Sequence, residues 1–201
     1  FSPKLKIGVL ASGKGTNFQE LINLSEKGEL DIDIKVLITN KDDAGCIKRA
    51  ESKKIPHKII RGKDFLHKEG FELEIVNTLI HYDVELVVMA GWMKIVTPFF
   101  INKFKNKIIN IHPSLLPAYK GGSAIKDSIL NGSKITGCSV HFVEEEVDSG
   151  SLIMQAALSI RDDDDIESLS KRIQLLEHKI LPHSISPVSY THLRAHETRS
   201  D

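Results

Sequence analysis

Four short apolar runs punctuate the first half of the chain: LKIGVLA (5–11), IKVLIT (34–39), ELVVMAG (85–91) and KIINI (107–111). Each is nearly continuous in valine, isoleucine and leucine, the pattern of a strand covered on both faces. IPHKII, around Pro56, reads as a further strand. Helical spacing of apolar positions predicts helices over 17–27, 44–53 and 65–81. Strand and helix in alternation predict a single α/β domain on an open, doubly wound, mostly parallel sheet.

The second half breaks this alternation. A helix is predicted over 124–131, then two strands, GCSVHFV (137–143) and LIMQAALSI (152–160), separated by the turn residues DSG. The last helix starts at the run DDDD, where Asp164 and Glu167 fit a capping box and Leu169, Ile173, Leu176 and Ile180 form the apolar stripe. The acidic run is helix-start chemistry, favoured by the helix dipole. Further on, SPVSYTHLRAHETRSD is polar, rich in His and Arg, and has no sustained period. The expected organisation is one domain over 1–183 and an atypical tail over 184–201, disordered or foreign to the fold.

Composition narrows the function classes. At 201 residues the chain can bury a sizeable single core. Basic and acidic residues balance at 27 each, so bulk charge gives no argument for a nucleic-acid partner. Cys46 and Cys138 are the only cysteines, and neither has a CxxC partner or a Cys/His cluster of zinc spacing. Hence no metal and no disulfide framework are expected, and a reducing, cytoplasmic setting is. No run reaches the roughly 18 apolar residues of a membrane span. The apolar part of FSPKLKIGVLAS is too short for a signal peptide, so no membrane partner is expected. The chain opens on Phe1, which suggests a native start further upstream.

GVLASGKGTN nearly spells a triphosphate P-loop, but Gly15 stands where a Ser or Thr must hold magnesium, and Gly8 falls inside the predicted strand. The spacing of a dinucleotide fingerprint is absent too. A plainer anion site remains. Gly13 and Gly15 let the backbone approach a ligand, and Thr16 with Gln19 fits a capping box that starts the helix at Thr16 or Asn17. The free amides of that first turn suit a phosphate monoester; the alternative is a strand-to-helix turn with no ligand.

NIHPSLLPAYKGG carries the second constellation. Asn110 and His112, two apart on a strand, face one side at its carboxyl end, where open α/β sheets bind ligands. Pro113 holds His112 toward extended geometry, and Pro117 stiffens the loop. Asp148, in VDSGS, lies beyond another strand and can come near His112, where a carboxylate favours the imidazolium. Asn110 has amide hydrogens for a developing oxyanion. His141, inside SVHFV, reads as a buried, hydrogen-bonded structural residue.

NIHPSLLPAYKGG, TGCSVHFVEEEVDSGSLIMQ and SGKGTNFQELI, correctly spaced, resemble the folate-dependent formyltransferases, and among them the branch acting on glycinamide ribonucleotide in purine synthesis. The resemblance covers roughly 6–182 and implies a Rossmann-like formyltransferase fold. It also implies formyl transfer from 10-formyltetrahydrofolate, a co-substrate, to the amine of glycinamide ribonucleotide, in a monomer or homodimer without metal. By resemblance, Asn110, His112 and Asp148 are catalytic. Gly15, Thr16 and Asn17 hold the substrate phosphate, and Gln174 and Glu177 its ribose and glycinamide end. Met93, Lys94, Ile95 and Val96, with Glu144, Glu145, Glu146 and Val147, wall the pterin pocket. Lys68 stands where the family often has a folate-contacting arginine; lysine keeps the charge without the bidentate geometry. Ile125 stands where a histidine is common, and the tail replaces a usual final strand and segment. The alternatives are a formyltetrahydrofolate hydrolase or a non-catalytic folate- or nucleotide-binding domain. A tRNA formyltransferase is disfavoured, because the sequence shows neither an arginine-glycine pair after the loop nor a second basic domain.

Overall fold

All seven apolar runs become strands of one sheet. The structure is a computed structural model and describes the backbone of residues 4–197 and the side chains of 4–186. Its strands are β1 (Leu5–Leu10), β2 (Ile32–Thr39), β3 (His57–Ile59), β4 (Leu86–Met89), β5 (Ile108–His112), β6 (Ile135–Phe142) and β7 (Leu152–Ser159). They line up as β3-β2-β1-β4-β5-β6-β7. The first five pair in parallel, while β6 runs antiparallel to β5 and β7 to β6. This is the expected mostly parallel α/β sheet.

Helices cover both faces. They are α1 (Thr16–Glu26), α2 (Gly45–Ser52), α3 (Lys68–His81), α4 (Pro98–Lys103), α5 (Ala124–Leu130) and α6 (Ile166–Glu197). Successive strand residues feed two core clusters. Ile7, Val9, Val88, Ile109 and Ile111 pack with Phe18 and Leu21 of α1, Ala50 of α2, and Leu169 and Ile173 of α6. Leu10, Val36, Val87, Met89 and Ile108 pack with Phe71, Ile75 and Leu79 of α3 and Phe100 of α4. That two-sided burial is why the strands read as unbroken apolar runs. Gly8 lies in β1 because a Cβ there would sit 2.6 Å from Leu79 Cδ2; its absence lets α3 lie close on the sheet.

Strand order reverses between β1 and β4, which opens a crevice at their carboxyl ends. The loops leaving these strands are tied together there. The Ser12 amide donates to the Gly91 carbonyl at 3.0 Å, and the Met93 amide donates to Ser12 Oγ at 3.0 Å.

Several local features differ from expectation. Helix α1 does begin at Thr16, but without the Thr16–Gln19 capping box. Its N-cap is Gly15 in the left-handed region (φ 71°), and Gln19 Nε2 donates to Asn23 instead. A residue already inside the helix cannot cap it. The box at α6 moves by one residue. The Ser168 amide donates to Asp165 Oδ1 at 2.7 Å, and the Asp165 amide to Ser168 Oγ at 3.0 Å. Asp164 is occupied by the Arg161 amide and by Arg172, and Glu167 pairs with Lys171 on the surface. The helix predicted from 65 starts at Lys68, because Phe65 and His67 are extended. Helix α4 has no counterpart among the predicted helices. The α6 stripe is as expected, with Leu169, Ile173 and Ile180 buried and Leu176 packed against the core. The atypical tail begins within α6, whose backbone runs to Glu197; residues 198–201 lie outside the described residues.

Candidate active site

The β5 strand ends in Asn110, Ile111 and His112; Ile111 points into the core while its neighbours face the other way. The antiparallel register places Asn110 opposite His141 and His112 opposite Ser139. Asn110 Nδ2 lies 3.3 Å from His141 Nε2. The sequence reads His141 as structural; the register brings it into the polar cluster. The only sequence signal for this is the turn chemistry that sets β6 and β7 apart from the parallel strands.

Asp148 completes the cluster. Its Oδ2 lies 3.4 Å from His112 Nδ1, and its Oδ1 lies 3.5 Å from His141 Nε2. The Gly121 amide also donates to Oδ2 at 2.8 Å. All three side chains are largely withdrawn from water. Burial by itself would push the Asp148 carboxyl up. Hydrogen bonds from His141 and the Gly121 amide, with neighbouring His112, outweigh burial and hold it below its ordinary range. Asp148 takes a left-handed backbone (φ 52°), an uncommon conformation for a residue with a side chain.

His112 is oriented from both sides. Nδ1 faces Asp148, and Nε2 donates to the Tyr119 carbonyl at 2.8 Å. The loop behind it is fastened. Ser139 Oγ donates to the Ser114 carbonyl at 2.6 Å and accepts from the Leu116 amide at 3.0 Å. Gln155 Nε2 donates to the Leu116 carbonyl at 3.0 Å, and Tyr119 Oη meets Ser133 Oγ at 2.6 Å.

The glycine loop follows β1 at the same carboxyl edge of the sheet. Gly15 is left-handed, and a Cβ there would lie 2.5 Å from Cys46 Cβ, so only glycine fits. The Gln19 amide makes the first intrahelical bond, to Gly15, which leaves the earlier amides of α1 without helical acceptors. Asn17 is buried, and its Nδ2 donates to Glu177 Oε2 at 2.9 Å, so two residues 160 apart in sequence meet. Asn17 Oδ1 and His178 Nε2 are buried polar atoms without a partner among the described residues. Burial raises the Glu177 carboxyl, against the lowering hydrogen bond from Asn17. Burial lowers His178; Glu20 opposes this and Arg49 adds to it. His178 is absent from the predicted site residues, although it lies one helical turn from Gln174 on the same face. Cys138, buried on β6 near Glu177, is pushed up to about 12 by burial and then by that carboxylate, so it is a neutral thiol.

The remaining expected loop residues and Lys68 are mostly exposed. Met93, Lys94 and Ile95 are exposed and Val96 is half-buried. Beyond them, Thr97 is anchored by Glu72, a buried carboxylate that accepts its amide at 2.8 Å and also its hydroxyl. Glu144, Glu145, Glu146 and Val147 are exposed, and Glu146 pairs with Lys120 at 3.0 Å. Val96 and Val143 pack against the same core cluster. Lys68 is exposed at the start of α3. Ile125 makes apolar contact with the α1/α2/α6 core. Among the described residues, no helix is long and apolar enough to cross a membrane.

Comparison with known proteins gives the same assignment as the fold. Residues 5–185 match the formyl transferase family. The chain is 41% identical to the phosphoribosylglycinamide formyltransferase of Haemophilus influenzae over 177 residues, covering 88% of this chain and 84% of that one. It is 40% identical to the trifunctional purine biosynthetic protein adenosine-3 of Chironomus tentans over 97% of its own length, and spans 14% of that protein. The crystal structure of phosphoribosylglycinamide formyltransferase from Bacillus halodurans superposes with a TM-score of 0.87 at 37% identity, covering 89% of this chain and 92% of that one. Overall fold and sequence agree, and the chain belongs to the formyl transferase family, on its phosphoribosylglycinamide formyltransferase branch.

Proposed function

We propose that the chain transfers the formyl group of 10-formyltetrahydrofolate to the primary amine of glycinamide ribonucleotide, in the cytoplasm. The observation that carries this is the largely buried Asn110–His112–His141–Asp148 cluster, at the same carboxyl edge of the sheet as the glycine loop. The amine attacks the formyl carbon, a C–N bond forms, and the formyl oxygen becomes an oxyanion. Asn110 Nδ2 and the His112 ring donate to that oxygen, with the substrate oxygen taking the place of the Tyr119 carbonyl on His112 Nε2. Asp148 stabilises the charge on His112 and orients a water for proton transfer. The intermediate collapses as the bond to the folate N10 breaks. The proton lost by the amine ends on N10. The substrate brings its own nucleophile, so the protein supplies position and charge.

Gly15, Thr16 and Asn17 hold the phosphate through the first-turn amides of α1. Gln174 and Glu177 hold the ribose and glycinamide, with His178 beside them. The loops 93–96 and 144–147 clasp the pterin, and Lys68 meets the folate's acidic end. The test is cofactor loss with and without glycinamide ribonucleotide. Loss only with the ribonucleotide is expected. Equal loss without it would overturn the reading in favour of hydrolysis, and no loss in either case in favour of a binding domain.

A further inference from the structure

The phosphate seat is built by backbone amides, and something must turn them toward the ligand. Two contacts from α2 do so. The Cys46 amide donates to the Gly13 carbonyl at 3.1 Å, and Arg49 Nε donates to the Lys14 carbonyl at 2.8 Å. In a planar trans peptide the C=O and the next N–H point in opposite directions. Holding the carbonyls of Gly13 and Lys14 against α2 therefore aims the amides of Lys14 and Gly15 away from it. Arg49 also donates through Nη1 to Gln19 Oε1 at 3.1 Å, which ties the loop to the second turn of α1. The left-handed Gly15, pressed against Cys46, completes a concave run of amides leading into the free first turn of α1.

We infer that Arg49 is a positioning residue for the ribonucleotide phosphate: its guanidinium holds the peptide between Lys14 and Gly15 in the orientation that presents the amides. This rests on the assignment of Gly15, Thr16 and Asn17 to the phosphate. Lysine cannot reproduce the contact in full. It offers one ammonium where arginine reaches a carbonyl and an amide oxygen through separate nitrogens.

The experiment measures KM for both substrates, kcat, and competitive inhibition by inorganic phosphate in the full chain, Arg49→Ala and Arg49→Lys. In Arg49→Ala, KM for the ribonucleotide and the phosphate inhibition constant rise together, by roughly tenfold to a hundredfold for the loss of a charge-assisted hydrogen bond. The folate KM and kcat stay within about twofold, and Arg49→Lys falls between. If the ribonucleotide KM and phosphate inhibition remain within about twofold of the parent chain, the inference is overturned. It is equally overturned if affinity for both substrates and kcat decline together, the mark of general loosening. Should Arg49→Ala not fold, the same split in Arg49→Lys decides. If phosphate does not compete with the ribonucleotide in the parent chain, the assignment of the seat itself falls, a result distinct from any failure of Arg49.

Discussion

His112 and Glu177 are both held by partners far away in sequence, and they answer to mutation differently. His112 donates to the reacting oxygen only as charge develops there, so its loss falls on kcat. His112→Asn is expected to lower kcat roughly 100- to 10,000-fold while ligand dissociation constants hold. A near-normal kcat would remove His112 from the mechanism. Glu177 is half-buried, and its carboxyl is raised above the ordinary 4.5 by desolvation. The folded chain therefore binds this proton more tightly than the unfolded chain does. The stabilising contribution is full below the ordinary value and is lost as pH rises through the raised one. Glu177→Gln keeps an oxygen for Asn17 without the charge. It is expected to be more stable than the parent at neutral pH, with a gap that shrinks toward about pH 4, and to have a higher KM for the ribonucleotide. Thermal melts across this range check it; a pH-independent gap would mean that the carboxylate carries no burial cost. His112 and Asn110 are legible from the strand end and the proline after it. His141 is not, because its partner is set by the register of β5 on β6, a contact across 31 residues.

Helices and loops are legible where their signals are local. The α6 stripe repeats over several turns, and glycine and threonine mark the start of α1. Helix α4 has 6 residues, too few for a periodic signal, and its sign is only Pro98 at the first turn after Thr97. Its placement depends on Glu72 of α3, which accepts the Thr97 amide and hydroxyl across 25 residues. Those two bonds also fix the far end of the loop 93–96. Glu72→Ala leaves the Thr97 donors unpaired, which costs about 1–3 kcal/mol of stability. The same change should raise the folate KM several-fold and leave the ribonucleotide KM near the parent value. Denaturation and a two-substrate kinetic comparison test both parts. A rise confined to the ribonucleotide would show that this loop does not clasp the folate.

At the scale of the whole molecule, the site is a product of strand order. The apolar runs foretell a parallel sheet but not which strands neighbour β1, and the crevice exists because β2 and β4 flank it. Ser12 stands at that junction, almost fully buried. Its amide reaches Gly91, its hydroxyl donates to Asn40 Oδ1 at 2.7 Å, and it accepts the Met93 amide at 3.0 Å. One residue thus joins the ends of β1, β2 and β4, and with them the loop assigned to the phosphate and the loop assigned to the pterin. Nothing in the local sequence around Ser12 announces this; an SG pair after a strand is ordinary turn chemistry. Arg49 acts on one wall of the crevice and Glu72 on the other, so each is expected to affect one substrate. Ser12→Ala should affect both. It leaves the Met93 amide and the Asn40 oxygen without their partner, at a cost of about 1–3 kcal/mol, and loosens the two loops, which keep the backbone bond from the residue 12 amide to Gly91. The expected result is a rise in both KM values, with binding of either substrate helping the other less than in the parent chain. Titrating each substrate in the presence and absence of the other measures that mutual effect directly. An unchanged mutual effect, with only one KM altered, would show that the two walls are set independently and that Ser12 serves only its own loop.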